Sequence, residues 1–225
     1  MKKGVVIAVA IGIAAALGYF AQRQLQPAGT VPAAAPASTT AAPIATPAPP
    51  VETAAPKVPE TLPQFALADR DGKPRRLAEW SGRPLMVNYW ATWCGPCRRE
   101  IPLLNQLRTQ RASQRLEIVG IAVDFRDDVL KYARETTIDY PLLIGEEDGL
   151  EAVKAVGMQP AFPFTLFADS QQRIVALKVG ELHQDEADLI LDRIIAIDAG
   201  KLGLAAAREQ ITAGLKELAT RRAAG

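Results

Sequence analysis

Two cysteines are the only thiols in this 225-residue chain, and just two residues separate Cys94 from Cys97 in the segment WATWCGPC, residues 90–97. A thiolate is the nucleophile of thiol–disulfide exchange, and a second thiol within reach resolves the mixed disulfide that forms. A purely structural disulfide is one alternative, but closing so short a loop removes little chain entropy. A zinc site is another, although zinc needs further ligands and the only histidine is His183. We therefore predict redox chemistry at this pair.

The residues around the pair predict how the two thiols differ. Residues 84–89 (PLMVNY) form an apolar run of buried-strand length, and a helical segment follows at residues 94–111. Cys94 would then lie at the start of a helix, where backbone N–H groups without partners and the helix dipole favour a thiolate. Cys97 would lie one turn deeper. We therefore expect Cys94 to be the nucleophile and Cys97 to be the resolving thiol.

The chain beyond residue 61 alternates between strand-like and helix-like segments. A β-hairpin is predicted at residues 64–77, with its turn at residues 69–72. Further strands are predicted at residues 84–89, 116–123, 141–144, 164–167 and 173–179, and helices at residues 94–111, 127–137, 148–156 and 185–199. This order predicts an α/β fold in which helices flank a central mixed β-sheet. The net charge of +1 gives no electrostatic footprint for nucleic acid.

The first 26 residues carry the features of an export signal. Lys2 and Lys3 precede an uncharged apolar run at residues 4–21. At about 1.5 Å per helical residue, such a run crosses most of a bilayer core of about 30 Å. We expect residues 1–26 to be a signal anchor that spans the membrane once, with the rest of the chain exported. A cleaved signal peptide is the alternative.

The remaining chain divides into a linker, a domain and a tail. Residues 27–60 are mostly Pro, Ala, Thr and Val, a composition that predicts a disordered, semi-extended linker. One domain is expected at residues 61–199. Residues 200–225 predict an amphipathic helix with an apolar stripe of Leu204, Ile211, Leu215 and Leu218. This helix could pack on the domain or form a dimer or partner contact, and the sequence leaves the oligomeric state open.

Residues 88–104 (NYWATWCGPCRREIPLL) resemble the active-site stretch of the TlpA/ResA-like branch of the thioredoxin superfamily, which are membrane-anchored extracytoplasmic thiol–disulfide oxidoreductases. Residues 62–84 resemble the opening hairpin of that branch. The resemblance implies a thioredoxin-like fold with an N-terminal hairpin and the strand order 1-3-2-4-5 at its centre. It also implies a single-pass protein of the bacterial inner membrane, with its catalytic domain in the periplasm.

The same resemblance assigns residues around the dithiol. Pro163 matches the cis-proline of the family, which offers backbone to an extended substrate; Pro160 is an alternative for this role. Phe162 precedes Pro163, where family members often carry a small or branched residue, and we assign it to the substrate groove. Trp93 is expected to shield the dithiol and border that groove, whereas Trp90 is expected in the core.

Glu100 is a candidate for controlling thiol acidity. It lies three residues after Cys97, on the same face of the predicted helix. Asn88 stands where cytosolic thioredoxins carry a proton-transferring aspartate, and in ResA-like proteins the glutamate that matches Glu100 modulates cysteine acidity. The alternative is a solvated glutamate paired with Arg98 or Arg99.

Together these features predict a reductase of disulfides in exported proteins, in a context such as cytochrome c maturation or copper-site assembly. The Cys94–Cys97 couple would be the only redox group, with no further cofactor and no metal, and a membrane thiol electron donor would restore it. A thiol oxidase is one alternative. A redox-regulated copper-binding chaperone, which would use the two cysteines as soft ligands, is the other.

Overall fold

The computed structural model describes residues 57–224. The expected signal anchor, residues 1–26, lies outside the described residues, and so does almost all of the expected linker at residues 27–60. Between residues 57 and 224, no helix is long and apolar enough to cross a membrane.

Within residues 57–224, seven strands and five α-helices form the domain. The strands are β1 (Ala66–Asp69), β2 (Pro74–Arg76), β3 (Leu85–Trp90), β4 (Glu117–Val123), β5 (Leu142–Gly145), β6 (Phe164–Ala168) and β7 (Ile174–Val179). The helices are α1 (Gly95–Gln110), α2 (Arg126–Glu135), α3 (Glu147–Ala155), α4 (Gln184–Asp198) and α5 (Leu204–Ala224). One mixed sheet joins the strands in the order β2-β1-β5-β4-β3-β6-β7. The predicted α/β architecture with an N-terminal hairpin is therefore confirmed.

The strand that precedes the two cysteines lies inside the sheet. β3 pairs with β4 in parallel and with β6 in antiparallel orientation, and every residue of β3 and β4 is buried. Continuous apolar runs of this kind are typical of strands covered on both faces. Because β3 is held by neighbours on both sides, the end of this strand is a fixed point from which α1 begins.

The order of the central strands follows the one implied by the family resemblance, with one strand inserted. If β1, β3, β4, β6 and β7 are counted as strands 1 to 5, their order in the sheet is 1-3-2-4-5, and β5 lies between β1 and β4. β4, α2 and β5 form a βαβ unit, and its crossover brings β5 alongside β4 in parallel. The N-terminal hairpin then adds at the outer edge, where β1 pairs antiparallel with β5.

Two hydrophobic cores cover the two faces of the sheet. Since side chains alternate along a strand, Met86 and Trp90 of β3 join one core, while Val87 and Tyr89 join the other. The buried face of α1 belongs to the first core, together with Cys97. Trp90 has no exposed surface, which confirms its predicted place in the core.

The C-terminal helix packs on its own domain. α5 begins at Leu204 and lies against α4 and β7, and it buries Ala207 and Ile211 in the same core as α1. Gly214 allows the two helices to approach closely, because a Cβ atom there would lie only 2.6 Å from Leu189 Cδ2. Residues 204–224 therefore pack on the domain, which is the first of the two placements expected for residues 200–225.

Candidate active site

The two cysteines sit at the junction of β3 and α1. Cys94 is the residue that caps the helix: its backbone is extended, and its Sγ accepts a hydrogen bond from the backbone N–H of Cys97 at 3.2 Å. Pro96 lies in the first turn, where its missing N–H has no helical partner to lose. Cys94 therefore lies at the N–H groups of a helix start, as expected.

The two sulfurs are joined in a disulfide, with a Sγ–Sγ distance of 2.01 Å. Cys97 is completely buried and Cys94 is 5% exposed. The order of exposure agrees with the expected roles, but Cys94 is less accessible than an attacking thiol was expected to be. The reason is that both sulfurs pack in the core beneath α1 while they are bonded to each other.

The loop before β6 contains a cis peptide bond between Phe162 and Pro163. Pro163 is buried, and its carbonyl accepts a hydrogen bond from the N–H of Gly180 at 2.8 Å. The bond preceding Pro160, the alternative, is not cis. The ring of Phe162 lies 6.1 Å from the ring of Trp93, so this loop meets the residue that precedes Cys94.

A groove of about 550 Å³ opens beside Trp93, which is 69% exposed. Phe125 and Leu150 add exposed apolar surface to it. The groove is lined by Trp93, Val123, Asp124, Phe125, Glu146, Glu147, Leu150, Pro160 and Phe162. It therefore combines an apolar floor with a rim that carries carboxylates, and it includes both Trp93 and Phe162 as expected.

Phe125, Leu150 and the acidic rim of this groove were not predicted from the sequence. A general rule could have found them, since ligands of α/β sheets bind beyond the carboxyl ends of parallel strands. Cys94 follows β3, Phe125 follows β4 and Glu146 follows β5, and these three strands run parallel. Their carboxyl ends meet at one edge, which is the edge that carries the dithiol.

Glu100 is buried on the inner face of α1, with only 2% of its surface exposed. Its Oε1 accepts a hydrogen bond from Asn88 Nδ2 at 2.7 Å, and its Oε2 accepts one from the N–H of Leu182 at 2.9 Å. Asn88 Nδ2 also donates to Thr165 Oγ1 at 3.0 Å. The carboxyl group is thus connected to β3, to β6 and to the loop that precedes α4.

The alternative of a solvated Glu100 paired with a neighbouring arginine is wrong. Arg99 instead forms an ion pair with Glu181. The guanidinium of Arg98 lies over the ring of Tyr132, with its carbon 5.5 Å from the ring centre. Both arginines point away from the sheet, because only every third or fourth residue of α1 faces it. No local pattern indicated Leu182, which donates to Glu100, or Thr165, which accepts from Asn88, because both come from distant parts of the chain.

Burial raises the pKa of Glu100 from an ordinary value of 4.5 to about 7. The hydrogen bonds from Leu182 and Asn88 lower this pKa again in part, because they favour the ionised carboxylate. A carboxyl group with this pKa exchanges its proton near neutral pH, which is the property that acid–base chemistry requires.

The raised pKa of Glu100 predicts a pH-dependent contribution to stability. The folded chain holds this proton more tightly than the unfolded chain, so the contribution is fully present below about pH 4.5 and is lost as the pH rises through about 7. We expect the stability advantage of the wild type over Glu100→Gln to fall by about 2 to 3 kcal/mol between pH 5 and pH 8. Urea unfolding of the oxidised proteins at both pH values measures it.

Glu147→Gln, which removes an exposed carboxylate from α3, is the matched control and should follow the wild type at both pH values. Parallel pH dependence of the wild type and Glu100→Gln would contradict the raised pKa.

Comparison with known proteins identifies the family. Residues 58–186 match the model of the AhpC/TSA family. The chain is 30% identical over 135 residues to the thiol-disulfide oxidoreductase ResA of Geobacillus thermodenitrificans, an overlap of 60% of this chain and 76% of that protein.

Solved structures share the fold. A thioredoxin-family thiol:disulfide interchange protein from Chlorobium tepidum has a TM-score of 0.52 and 31% identity, covering 62% of this chain and 96% of the other. The thioredoxin domain of a thiol-disulfide oxidoreductase from Bacteroides vulgatus has a TM-score of 0.54, covering 61% of this chain and 97% of the other. Its identity is 19%, so this second likeness concerns the fold alone.

These matches confirm the thioredoxin-like fold and agree with a cysteine pair at the start of α1 as the redox centre. Such a chain exchanges disulfides with thiol-bearing proteins. It belongs to the AhpC/TSA family of thioredoxin-fold proteins and, within that family, to the ResA-like thiol–disulfide oxidoreductases.

Proposed function

We propose that this oxidoreductase reduces disulfides in exported proteins while it is tethered to the bacterial inner membrane. The observation that carries the proposal is the helix-start position of Cys94, whose sulfur accepts the N–H of Cys97 and is bonded to the buried Cys97 sulfur. This geometry suits a dithiol that is oxidised and reduced in turn.

The reaction has two exchange steps. The thiolate of Cys94 attacks one sulfur of a substrate disulfide, which forms a mixed disulfide and releases the first substrate thiolate. The thiolate of Cys97 then attacks the Cys94 sulfur, which forms the Cys94–Cys97 disulfide and releases the second substrate thiolate. Two electrons pass from the protein to the substrate, and a membrane dithiol donor returns two electrons to the protein.

Glu100 has the properties needed to manage the proton of the resolving step. Cys97 is buried in apolar surroundings, and burial disfavours a thiolate. A carboxyl with a pKa of about 7, one helical turn away, can accept a proton from that thiol at neutral pH. Asn88 has no titratable proton at this pH, but it orients the carboxyl through its hydrogen bond.

The groove suggests the class of substrate. The backbone at Pro163 would meet an extended substrate, as the family resemblance implies, and Trp93, Phe162, Phe125 and Leu150 would contact an apolar side chain close to the substrate cysteine. Carboxylates on the rim favour a segment that also carries Lys or Arg. We therefore propose that the groove binds an extended, apolar and basic segment of an exported protein.

The membrane tether rests on the sequence of residues 1–60. Lysines before an apolar run favour an anchored chain whose domain is exported, and the Pro- and Ala-rich segment favours a long spacer. A domain held in this way stays close to a membrane-bound electron donor.

The copper-chaperone alternative would use the same two cysteines as ligands, so specific binding of Cu(I) without disulfide turnover would favour it over the proposed reductase. The oxidase alternative uses the same dithiol in the opposite direction, and the reduction potential distinguishes it.

The reduction potential tests the direction of electron flow. A Cys-Gly-Pro-Cys pair in a reductase should have a potential near the thioredoxin value of about −270 mV. Equilibration of the protein with dithiothreitol buffers measures the potential. A value near that of the oxidant DsbA, about −120 mV, would overturn the proposed direction and support a thiol oxidase.

The roles of the two thiols are tested by trapping. Without a resolving thiol the mixed disulfide has no internal thiolate to break it, so Cys97→Ser should accumulate covalent complexes with substrate proteins. Cys94→Ser should accumulate few, because its remaining sulfur is buried. Non-reducing gels and mass spectrometry detect the complexes. Equal trapping by both variants would mean that the assignment is wrong.

The groove is tested with substrates of different size. Phe125→Ser should slow the reduction of an unfolded protein disulfide at least about fivefold, since aromatic contacts dominate many interfaces. The reduction of oxidised glutathione, which has no large apolar side chain to place on Phe125, should not change. Val179→Ser removes another exposed apolar side chain, outside the groove, and serves as the control. A Phe125→Ser rate equal to the control with both substrates would refute the groove.

A further inference from the structure

The loop at residues 180–183, between β7 and α4, binds both Pro163 and Glu100. The N–H of Gly180 donates to the carbonyl of Pro163 at 2.8 Å, and the N–H of Leu182 donates to Glu100 Oε2 at 2.9 Å. Glu181 accepts two hydrogen bonds from Arg99 Nε, at 3.1 and 3.2 Å. Gly180 and Leu182, two residues apart, thus hold the cis-proline and the buried carboxyl in one arrangement.

The far end of this loop is fixed by a second buried carboxylate. Glu186, in the first turn of α4, is only 4% exposed, and its Oε2 accepts the N–H of His183 at 3.1 Å. Arg222 Nη1 donates to Glu186 Oε1 at 2.8 Å, and Arg222 Nη2 donates to Asp185. Lys178 Nζ lies 3.5 Å from Glu186 Oε2 and completes the charge balance.

Arg222 comes from the last turns of α5, the helix that extends beyond residue 199. This helix is held at both ends: Arg208 donates to the carbonyl of Ile174 near its start, and Arg222 binds the beginning of α4 near its end. Because a short connection makes α4 and α5 antiparallel, the last turns of the chain lie beside the loop that reaches the active site.

We propose that Arg222 is a positioning residue for thiol–disulfide exchange: by neutralising Glu186, it holds the loop at residues 180–183 in the arrangement in which the N–H of Leu182 reaches Glu100. The C-terminal helix thereby becomes part of the apparatus that sets the acid–base behaviour of the site. This inference rests on the proposed role of Glu100 only for its effect on exchange.

The physical reason for this role of Arg222 is the balance of charges around Glu186. A buried carboxylate that loses one partner of an ion pair is strongly destabilised. Without Arg222, Lys178 would remain as the only cation at Glu186, and Lys178 also favours the ionised form of Glu100. The first turn of α4 would therefore rearrange and weaken the donor to Glu100.

The charged surroundings of Glu100 make the direction of the effect definite. Asn88 donates from β3, Lys178 attracts from β7, Glu181 repels from the loop, and Tyr140 faces the carboxyl from the segment before β5. The loop, which is held by Glu186 and Arg222, carries both the Leu182 donor and the repelling Glu181. The Leu182 hydrogen bond has the larger influence of the two, so displacement of the loop should make Glu100 bind its proton more tightly.

The test compares Arg222→Gln with Arg221→Gln. Arg221 is exposed on the same helix and has no ion pair or hydrogen bond among the described side chains, so both variants lose the same charge. Titration of the Glu100 carboxyl by ¹³C NMR in the oxidised proteins should show an upward shift of about half a pH unit in Arg222→Gln, as expected for weakening one of two donors. Arg221→Gln should match the wild type, and Arg222→Lys should recover part of the shift.

The same variants are then assayed for the pH dependence of exchange, and thermal unfolding measures their packing separately. An unshifted Glu100 titration in Arg222→Gln, with or without a lower melting temperature, would overturn the inference and leave α5 as a packing extension. A shifted titration with an unchanged pH–rate profile would support the positioning role and refute the proposed role of Glu100 in exchange.

Discussion

The hydrogen bond between Cys97 N–H and Cys94 Sγ connects the stability of the fold to the reactivity of the site. An α-helix leaves its first N–H groups without carbonyl partners, and a capping side chain normally supplies an oxygen there. In this chain the cap is a sulfur. The position of that sulfur is fixed because β3, which leads into the helix, is paired on both sides. The same N–H groups that need a cap in the oxidised state are available to stabilise a thiolate in the reduced state.

The second constraint is the burial of an ionisable carboxyl beneath the same helix. A glutamate that is 2% exposed needs donors, and it obtains them from Asn88 on β3 and Leu182 in a loop. Asn88 in turn contacts Thr165 on β6, so the proton-holding group is fixed by the central strands themselves. Asn88 on the strand and Glu100 on the helix form a hydrogen-bonded pair. The titratable group of this pair therefore lies on the helix that begins at the cysteines, and not on the strand.

Much of this could be predicted from local patterns. The helix predicted at residues 94–111 is observed as Gly95–Gln110, and the apolar runs before and after it are the buried strands β3 and β4. The place of β5 between β1 and β4 could not be predicted, because it depends on pairing between segments that are distant in the sequence. Glu100 follows two arginines, and by local composition it could have been a surface residue; only the contacts of Leu182 and Asn88 account for its burial. Phe125 and Leu150 were missed for the same reason, since exposed apolar residues gain meaning only from what lies beside them.

The two sides of the site differ in how firmly they are held. The dithiol, Glu100 and Pro163 are buried, whereas Trp93 and Phe125 on the groove side are more than half exposed. A partner can therefore displace the aromatic side chains without disturbing the acid–base group. Pro163 and Glu100 are not independent, however, because Gly180 and Leu182, only two residues apart, bind one each. If a substrate backbone binds at Pro163, as proposed, it would pull on the same short segment that donates to the carboxyl, and substrate binding would be connected to proton affinity through this loop.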